Sequence, residues 1–240
     1  MTHLVLLAGG IGQRVGAGIP KQFVEVFGRP VIAYTLEIFE RHPEVDDILV
    51  VCHREWRDVL DVIVEANGFR KVVRVVDGGE DFQHSMLNGM RGLKGLAADE
   101  DVVITHWAAS PFVTDDVISD NIRVCREKGN AMSACPFFVI VGSNDGDHSA
   151  TWVDRDSIMT LNAPQSFKYA FFRDFYEKAI ETGAINQVEP HTTTLMYKMG
   201  HPIYFSKGSQ LNIKITTHED LALFKGYLLS RQANAKGTKK

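Results

Sequence analysis

Leu4-Val5-Leu6-Leu7-Ala8-Gly9-Gly10-Ile11-Gly12-Gln13-Arg14 is the stretch that decides the fold. Its first five residues are apolar without interruption, which suits a short strand buried on both faces. The strand runs straight into glycines, which lack a Cβ and let backbone amides come close to a phosphate or a base. Val31, Tyr34, Ile38 and Phe39 then recur at helical spacing. Further apolar runs at 48–52, 72–76, 102–106 and 131–136 alternate with helical patterns at about 55–67, 83–93 and 116–128. Asp115 and Asp116 suit the N-terminal end of the last of these helices, where the helix dipole favours negative charge. Strands that alternate with helices predict an α/β fold with a mostly parallel sheet covered on both faces.

The alternation stops after Pro136. Residues 137–141, a polar stretch at 142–148 and residues 151–153 read as a β-hairpin or arm, spanning about 137–160. Exposed apolar residues on such an arm want a partner, so a homodimer through the arm is expected. Ala163-Pro164-Gln165 returns the chain to the body, and a helix is expected at about 169–181. Strands are expected at 202–205 and 212–216, and a closing helix at 218–229. The polar, basic stretch 231–240 reads as a frayed tail, leaving one domain over 1–230.

The chain has 240 residues, 45% of them hydrophobic, with a formal net charge of −4. No global positive field points to nucleic acid as a partner. No apolar stretch is long enough to span a bilayer, and Met1-Thr2-His3 lacks the basic start of a signal peptide. No membrane partner and a soluble, cytoplasmic protein are therefore expected. Cys52, Cys125 and Cys135 form no Cys-x-x-Cys pair and read as reduced, buried thiols. The nine histidines show no metal-ligand spacing. His53, His148, His201 and His218 read as solvated turn residues. A Gly-x-Ser-x-Gly elbow is absent, which removes support for a hydrolase.

The first loop is neither a Walker A loop, since no Gly-Lys-Ser/Thr follows, nor a dinucleotide fingerprint, since the glycine spacing differs. What gives it chemistry is Arg14 followed by Pro20-Lys21-Gln22. Two cations on one connecting segment suit a triphosphate. The plainer alternative is a structural turn carrying two solvated basic residues.

Taken in order, these stretches resemble the cytidylyltransferases that act on methylerythritol phosphate and on ribitol phosphate. The resemblance rests on Ala8-Gly9-Gly10 with Gly12 and Arg14, on Pro20-Lys21-Gln22-Phe23, and on Gly28-Arg29-Pro30-Val31. It continues through Gly78-Gly79 with Ser85, Thr105-His106, and Pro111-Phe112-Val113-Thr114. Val153-Asp154-Arg155, Ala163-Pro164-Gln165-Ser166-Phe167 and Asn212-Ile213-Lys214-Ile215-Thr216-Thr217 complete it, so that nearly the whole chain takes part.

The resemblance implies a Rossmann-like nucleotidyltransferase fold of the GT-A type with a dimerising arm. It implies CTP as substrate, Mg2+ as cofactor and attack by an acceptor phosphate oxygen on the α-phosphorus. By position, Arg14, Lys21 and Lys214 would be the catalytic cations. Ala8, Gly9, Gly10, Gly12, Gly79, Ser85 and Ala108 would line the nucleotide site. Arg155, Trp107 and Thr192 would face the acceptor, Arg155 in the neighbouring subunit. The first loop and Asn212-Ile213-Lys214-Ile215-Thr216-Thr217 lean toward the ribitol phosphate branch, with a CDP-alditol for a cell-surface polymer as product. The methylerythritol branch of isoprenoid synthesis is the alternative.

Several positions depart from the family pattern. Trp107 and Leu211 stand where aspartates that bind magnesium are usual, and Ser110 and Phe82 stand where arginines are usual. Val139-Ile140 and Glu189-Pro190-His191-Thr192 also differ. The metal ligands are therefore unassigned, with Asp81, His84, His106 and His191 as substitutes to examine. Trp107, Phe82 and Phe138 would make the acceptor side more apolar. Trp107 itself reads equally as core packing or as a stacking surface. A member that binds nucleotide without turning it over is the remaining alternative.

Overall fold

The computed structural model describes residues 1–10 and 18–237. Its centre is β1 (Thr2–Ala8), which pairs in parallel with β4 (Asp47–Cys52) on one edge and β6 (Val102–Trp107) on the other. Beyond β4 lies β5 (Val72–Asp77), also parallel. Beyond β6 come β8 (Met159–Lys168), β7 (Asn130–Pro136) and β9 (Phe205–Lys207), giving the order β5-β4-β1-β6-β8-β7-β9. Only β8 runs against its neighbours. The mixed, mostly parallel α/β sheet expected from the alternation of strands and helices is therefore present.

Alternation within β1 divides the core in two. Leu4, Leu6 and Ala8 face α1 (Val31–Arg41), α2 (Arg57–Asn67) and α4 (Asp115–Lys128). Val5 faces the other layer, made by α3 (Phe82–Gly92), α5 (Tyr169–Glu181) and α6 (Thr192–Lys198). A smaller cluster joins Val26, Phe112, Ile215 and Phe224, the last on α7 (His218–Gly237). α7 is started by Asp220, whose carboxylate accepts from the Thr216 and Thr217 amides at 2.7 and 2.9 Å. It runs to Gly237, past the end expected at 229, and covers most of the stretch expected to be a tail.

Two strands were placed imperfectly by sequence. Residues 212–216 form no strand: the Asn212 and Ile213 amides and the Thr216 hydroxyl make local turn bonds to Ser209, Leu211 and Lys214, while the Asn212 side chain reaches the Ala163 carbonyl and the Ile215 amide reaches the Ala109 carbonyl at 2.8 Å. The strand expected at 202–205 is β9, displaced to Phe205–Lys207. β8 was seen only as a return segment, because Asn162, Pro164 and Gln165 interrupt its apolar pattern. The short hairpin of β2 (Glu25–Val26) and β3 (Arg29–Pro30) was not expected; it turns at Phe27 and Gly28, both at positive φ, as a two-residue hairpin loop requires. The arm forms antiparallel contacts, with the Gly142–Trp152 bridge and the Val153 amide on the Val141 carbonyl at 3.1 Å, but no regular strands.

Cys52 and Cys125 are buried, and burial pushes their thiols up to about 11 and about 12, so both remain neutral packing groups. Cys135, also free, is only half-buried and lies 3.3 Å from the Thr160 hydroxyl. His201 is not simply solvated; its ring meets the edges of Phe171 and Phe175.

His106 is fully buried against Phe39, with its Nε2 3.0 Å from the Ser110 carbonyl and its Nδ1 without a protein partner. Burial lowers its pKa to about 4, opposed by the Ser110 contact. An unfolded histidine protonates near 6.5. Between about 6.5 and about 4 the unfolded chain therefore holds a proton that the folded protein refuses, and stability falls as pH falls. The ceiling of this effect is about 1.4 kcal/mol per pH unit. Urea denaturation of a His106→Asn variant between pH 4.5 and 7 is expected to show a lower stability at pH 7 but a flatter slope than the native protein.

Candidate active site

The carboxyl ends of β1, β4, β5 and β6 open on one side of the sheet. Chain order reverses direction between β1 and β6, since β4 and β5 extend from one edge of β1 and β6 from the other. Such a switch point leaves a crevice that open α/β sheets use for ligands. A cavity of about 440 Å³ lies there. Leu7, Gly9 and Gly10 come to it from β1, His53 from the end of β4, and Gly79, Glu80 and Asp81 from the end of β5. Phe82 and Ser85 enter from α3, Trp107 and Ala109 from the end of β6. Lys21, Gln22 and Lys214 complete the wall.

Gly79 is required by close approach, and Gly9 is tightly fitted, whereas a Cβ on Gly10 would meet nothing within 4 Å. A Cβ on Gly79 would stand 2.3 Å from the His84 Cβ and 2.7 Å from the Ser85 amide nitrogen, too near for any side chain. The Gly79 amide donates to the Ser85 hydroxyl at 3.0 Å, so the two residues form one unit. A Cβ on Gly9 would meet that same hydroxyl at 3.2 Å and Gly78 at 3.3 Å. The first and second glycine loops therefore touch through their backbones.

Gln22, to which sequence alone gives no role, ties the end of β1 to the Lys21–Phe23 turn. Its buried amide donates to the Ala8 carbonyl at 2.7 Å and to the Gly10 carbonyl at 2.9 Å. The Lys21–Phe23 turn is thereby fastened to the end of β1, which brings Lys21 to the cavity. A glutamine next to a lysine carries no local signal for this; only the fold shows which carbonyls it reaches.

Asp81 caps α3: its Oδ1 accepts from the His84 amide at 2.8 Å and lies 2.8 Å from His84 Nδ1. Burial raises its pKa, but these His84 contacts outweigh it and hold the carboxyl below its ordinary range. Behind Phe82, the Gln83 amide donates to the His191 carbonyl at 3.0 Å, and the Tyr176 hydroxyl joins Gln83 at 2.8 Å to Thr192 at 2.9 Å. This buried network holds the His191 ring against Phe82, with centroids 5.4 Å apart. Burial pushes the Tyr176 phenol well up, so it stays a neutral hydrogen-bonding group.

Of the residues singled out by sequence, Lys21, Lys214, Gly9, Gly10, Gly79, Ser85 and Trp107 meet at the cavity. Ala8 and Ala108 are buried beneath it and take part through backbone: the Ala108 amide donates to the Leu7 carbonyl at 3.0 Å. Thr192 does not reach the cavity, because it opens α6 with its hydroxyl turned inward to Tyr176. Arg155 is exposed in a short turn on the arm, away from the cavity of its own chain. Gly12 and Arg14 lie outside the described residues.

The carboxylates at the cavity are Glu80 and Asp81. Among the described residues no three His, Cys, Asp or Glu side chains converge. His106 is turned into the core, His191 is stacked on Phe82, and Asp81 is occupied in capping α3. Leu211 is exposed and does not line the cavity.

Residues 2–230 match the IspD family, described as 2-C-methyl-D-erythritol 4-phosphate cytidylyltransferase. The chain belongs to this family. It is 38% identical over 233 residues to a ribitol-5-phosphate cytidylyltransferase of Lacticaseibacillus paracasei, covering 97% of this chain and 100% of the relative. It is 36% identical over 223 residues to a 2-C-methyl-D-erythritol 4-phosphate cytidylyltransferase of Geobacter metallireducens, covering 92% of this chain and 94% of the relative. The crystal structure of 4-diphosphocytidyl-2C-methyl-D-erythritol synthase from Anaerococcus prevotii superposes with a TM-score of 0.79 at 25% identity, over 95% of this chain and 98% of that one. The nucleotidyltransferase fold expected from the motifs is thus the fold of the IspD family. Among the described residues no helix is long and apolar enough to cross a membrane.

Replacing Gln22 by Leu keeps the volume and removes the hydrogen bonds to the buried Ala8 carbonyl and to the Gly10 carbonyl. The variant is expected to lose about 1–3 kcal/mol of stability in urea denaturation.

Proposed function

We propose that this protein transfers CMP from CTP to a phosphorylated alditol of the ribitol 5-phosphate kind and releases pyrophosphate. The observation that carries this reading is the cavity at the strand ends, where Lys21 and Lys214 meet backbone from two glycine loops. The ribitol-5-phosphate branch is favoured by the 38% identity to the Lacticaseibacillus relative and by 34% identity, over 95% of the chain, to relatives of that name in Streptococcus agalactiae.

In this reaction an oxygen of the acceptor phosphate bonds to the α-phosphorus of CTP. The bond from that phosphorus to the bridging oxygen breaks, and pyrophosphate carries away the electron pair. Little covalent chemistry is asked of the protein; alignment and charge stabilisation do the work. Lys21, Lys214 and Arg14 supply positive charge to the triphosphate and to the transition state. Gly9, Gly10, Gly12 and Gly79 let the nucleotide lie against backbone, with Ser85 fixing the second loop. Mg2+, the usual companion of nucleoside triphosphates, would supply further positive charge to the phosphates when bound, with Glu80 and Asp81 the carboxylates at the cavity.

The arm leaves Phe138, Val139, Ile140 and Trp152 between 59% and 86% exposed. We propose that a second copy covers them and that Arg155 of each arm serves the acceptor side of the other subunit's cavity. The cytoplasm, where nucleoside triphosphates are available, is the proposed compartment.

Pyrophosphate release should require CTP together with a phosphorylated acceptor, with ribitol 5-phosphate the best of a panel that includes 2-C-methyl-D-erythritol 4-phosphate. Lys21→Ala should lower kcat/KM at least ~100-fold. Preference for the methylerythritol substrate would move the protein to the other branch. CTP binding in calorimetry without release from any acceptor would make it a silent nucleotide-binding member. Ile140→Asp should shift the protein from dimer to monomer in sedimentation equilibrium.

A further inference from the structure

Lys214 and Trp107 are 107 positions apart in sequence, yet the lysine ammonium lies 4.6 Å from the centre of the indole ring. This is within the range where an aromatic face attracts a cation. Both side chains line the cavity. The two segments are also fastened to each other by backbone, through the Ile215 amide on the Ala109 carbonyl at 2.8 Å. Trp107 is held in turn by the Ser110 amide on its own carbonyl at 3.0 Å, one residue from the Ala108–Leu7 bond. On the other side, the Asn212 side chain donates to the Ala163 carbonyl at 2.6 Å. The contact is thus made between two braced segments.

We propose that Trp107 is a positioning residue for Lys214, resting on the nucleotidyl-transfer reading above. A lysine side chain is a long, flexible stem that carries a strongly hydrated point charge. A carboxylate beside it would fix the ammonium but cancel its charge. An aromatic face fixes the ammonium through the ring quadrupole and cancels nothing. The Trp107 ring thus orients Lys214 at the cavity without itself adding a negative charge beside the ammonium. The inference also accounts for a tryptophan at the edge of a polar site: its ring serves the lysine and not the core.

The test is a double-mutant cycle. In the native background Trp107→Leu should lower kcat roughly tenfold, with the KM for CTP nearly unchanged, and Trp107→Phe should restore most of the loss. In a Lys214→Met background Trp107→Leu should have no further effect on the residual rate. Equal losses for Leu in both backgrounds would overturn the proposal, because the ring would then act through the substrate or through packing. Equal losses for Phe and Leu would overturn it as well. A readout independent of catalysis separates this inference from the functional reading. In a Trp56→Phe, Trp152→Phe protein the remaining indole is Trp107, since the chain has three tryptophans. Lys214→Met should alter its fluorescence emission even if no acceptor is ever turned over. Unchanged emission would mean the contact is not made in solution, and the inference would fail whatever the enzyme's activity.

Discussion

β1 is hydrogen-bonded along both edges to parallel strands, and the rest of the site depends on that constraint. A strand with both edges taken and both faces covered has only its ends free. Its carboxyl end has to turn sharply, and the neighbours β4 and β6 lead their own connections away in opposite directions. The crevice between those connections follows from the strand order. Gly9 and Gly10 are where the chain leaves β1, and Trp107 is where it leaves β6. The cavity needs no separate design; it is the space left by a sheet whose order changes direction there.

What fills the rim is a set of side-chain and backbone ties between segments distant in sequence. Gln22 binds the connection after β1 back onto its own strand end. Ser85 binds the second glycine loop, which touches the first through Gly9 and Gly78. Gln83, Tyr176 and Thr192 bind α3 to α5 and α6 and so hold Phe82 and His191 together. Each tie satisfies a polar group that burial would otherwise leave without water. The cations stand on this frame, one beside Gln22 and one on the segment fastened to Ala109, so their separation is set by the fold and not by their own flexible stems.

The family resemblance and the physical site inform one another at the positions that differ. By the resemblance, the glycines, Lys21 and Lys214 match the family motifs, and Trp107, Phe82 and Leu211 are positions expected to differ. Phe82 and Trp107 both line the cavity, whereas Leu211 stands outside it in solvent. Two of these positions therefore shape the wall of the cavity, and the third does not touch it.

The alternation of strands and helices, the Gly9-Gly10 pair at the end of the first strand and Lys21 near it were all legible in the sequence. These are local features: a five-residue apolar run, a Gly-Gly pair and helical spacing are written in consecutive residues, and each obeys a short-range rule. The irregular segment at 212–216 was not legible, because alternating Ile213 and Ile215 imitate a strand whose partner edge is missing. β8 was hidden for the converse reason, since its polar residues find partners only once the sheet is built. Thr192 reads as an accessible hydroxyl until α6 turns it toward Tyr176. Gln22 and the Trp107–Lys214 pair belong to the same class. Their meaning lies in which carbonyl or ring they meet, and that depends on contacts across 14 and 107 positions of chain. Sequence alone determined the elements and the chemical types available to the site; the tertiary structure decided which of them touch, because only closure of the sheet sets distances between segments that sequence leaves independent.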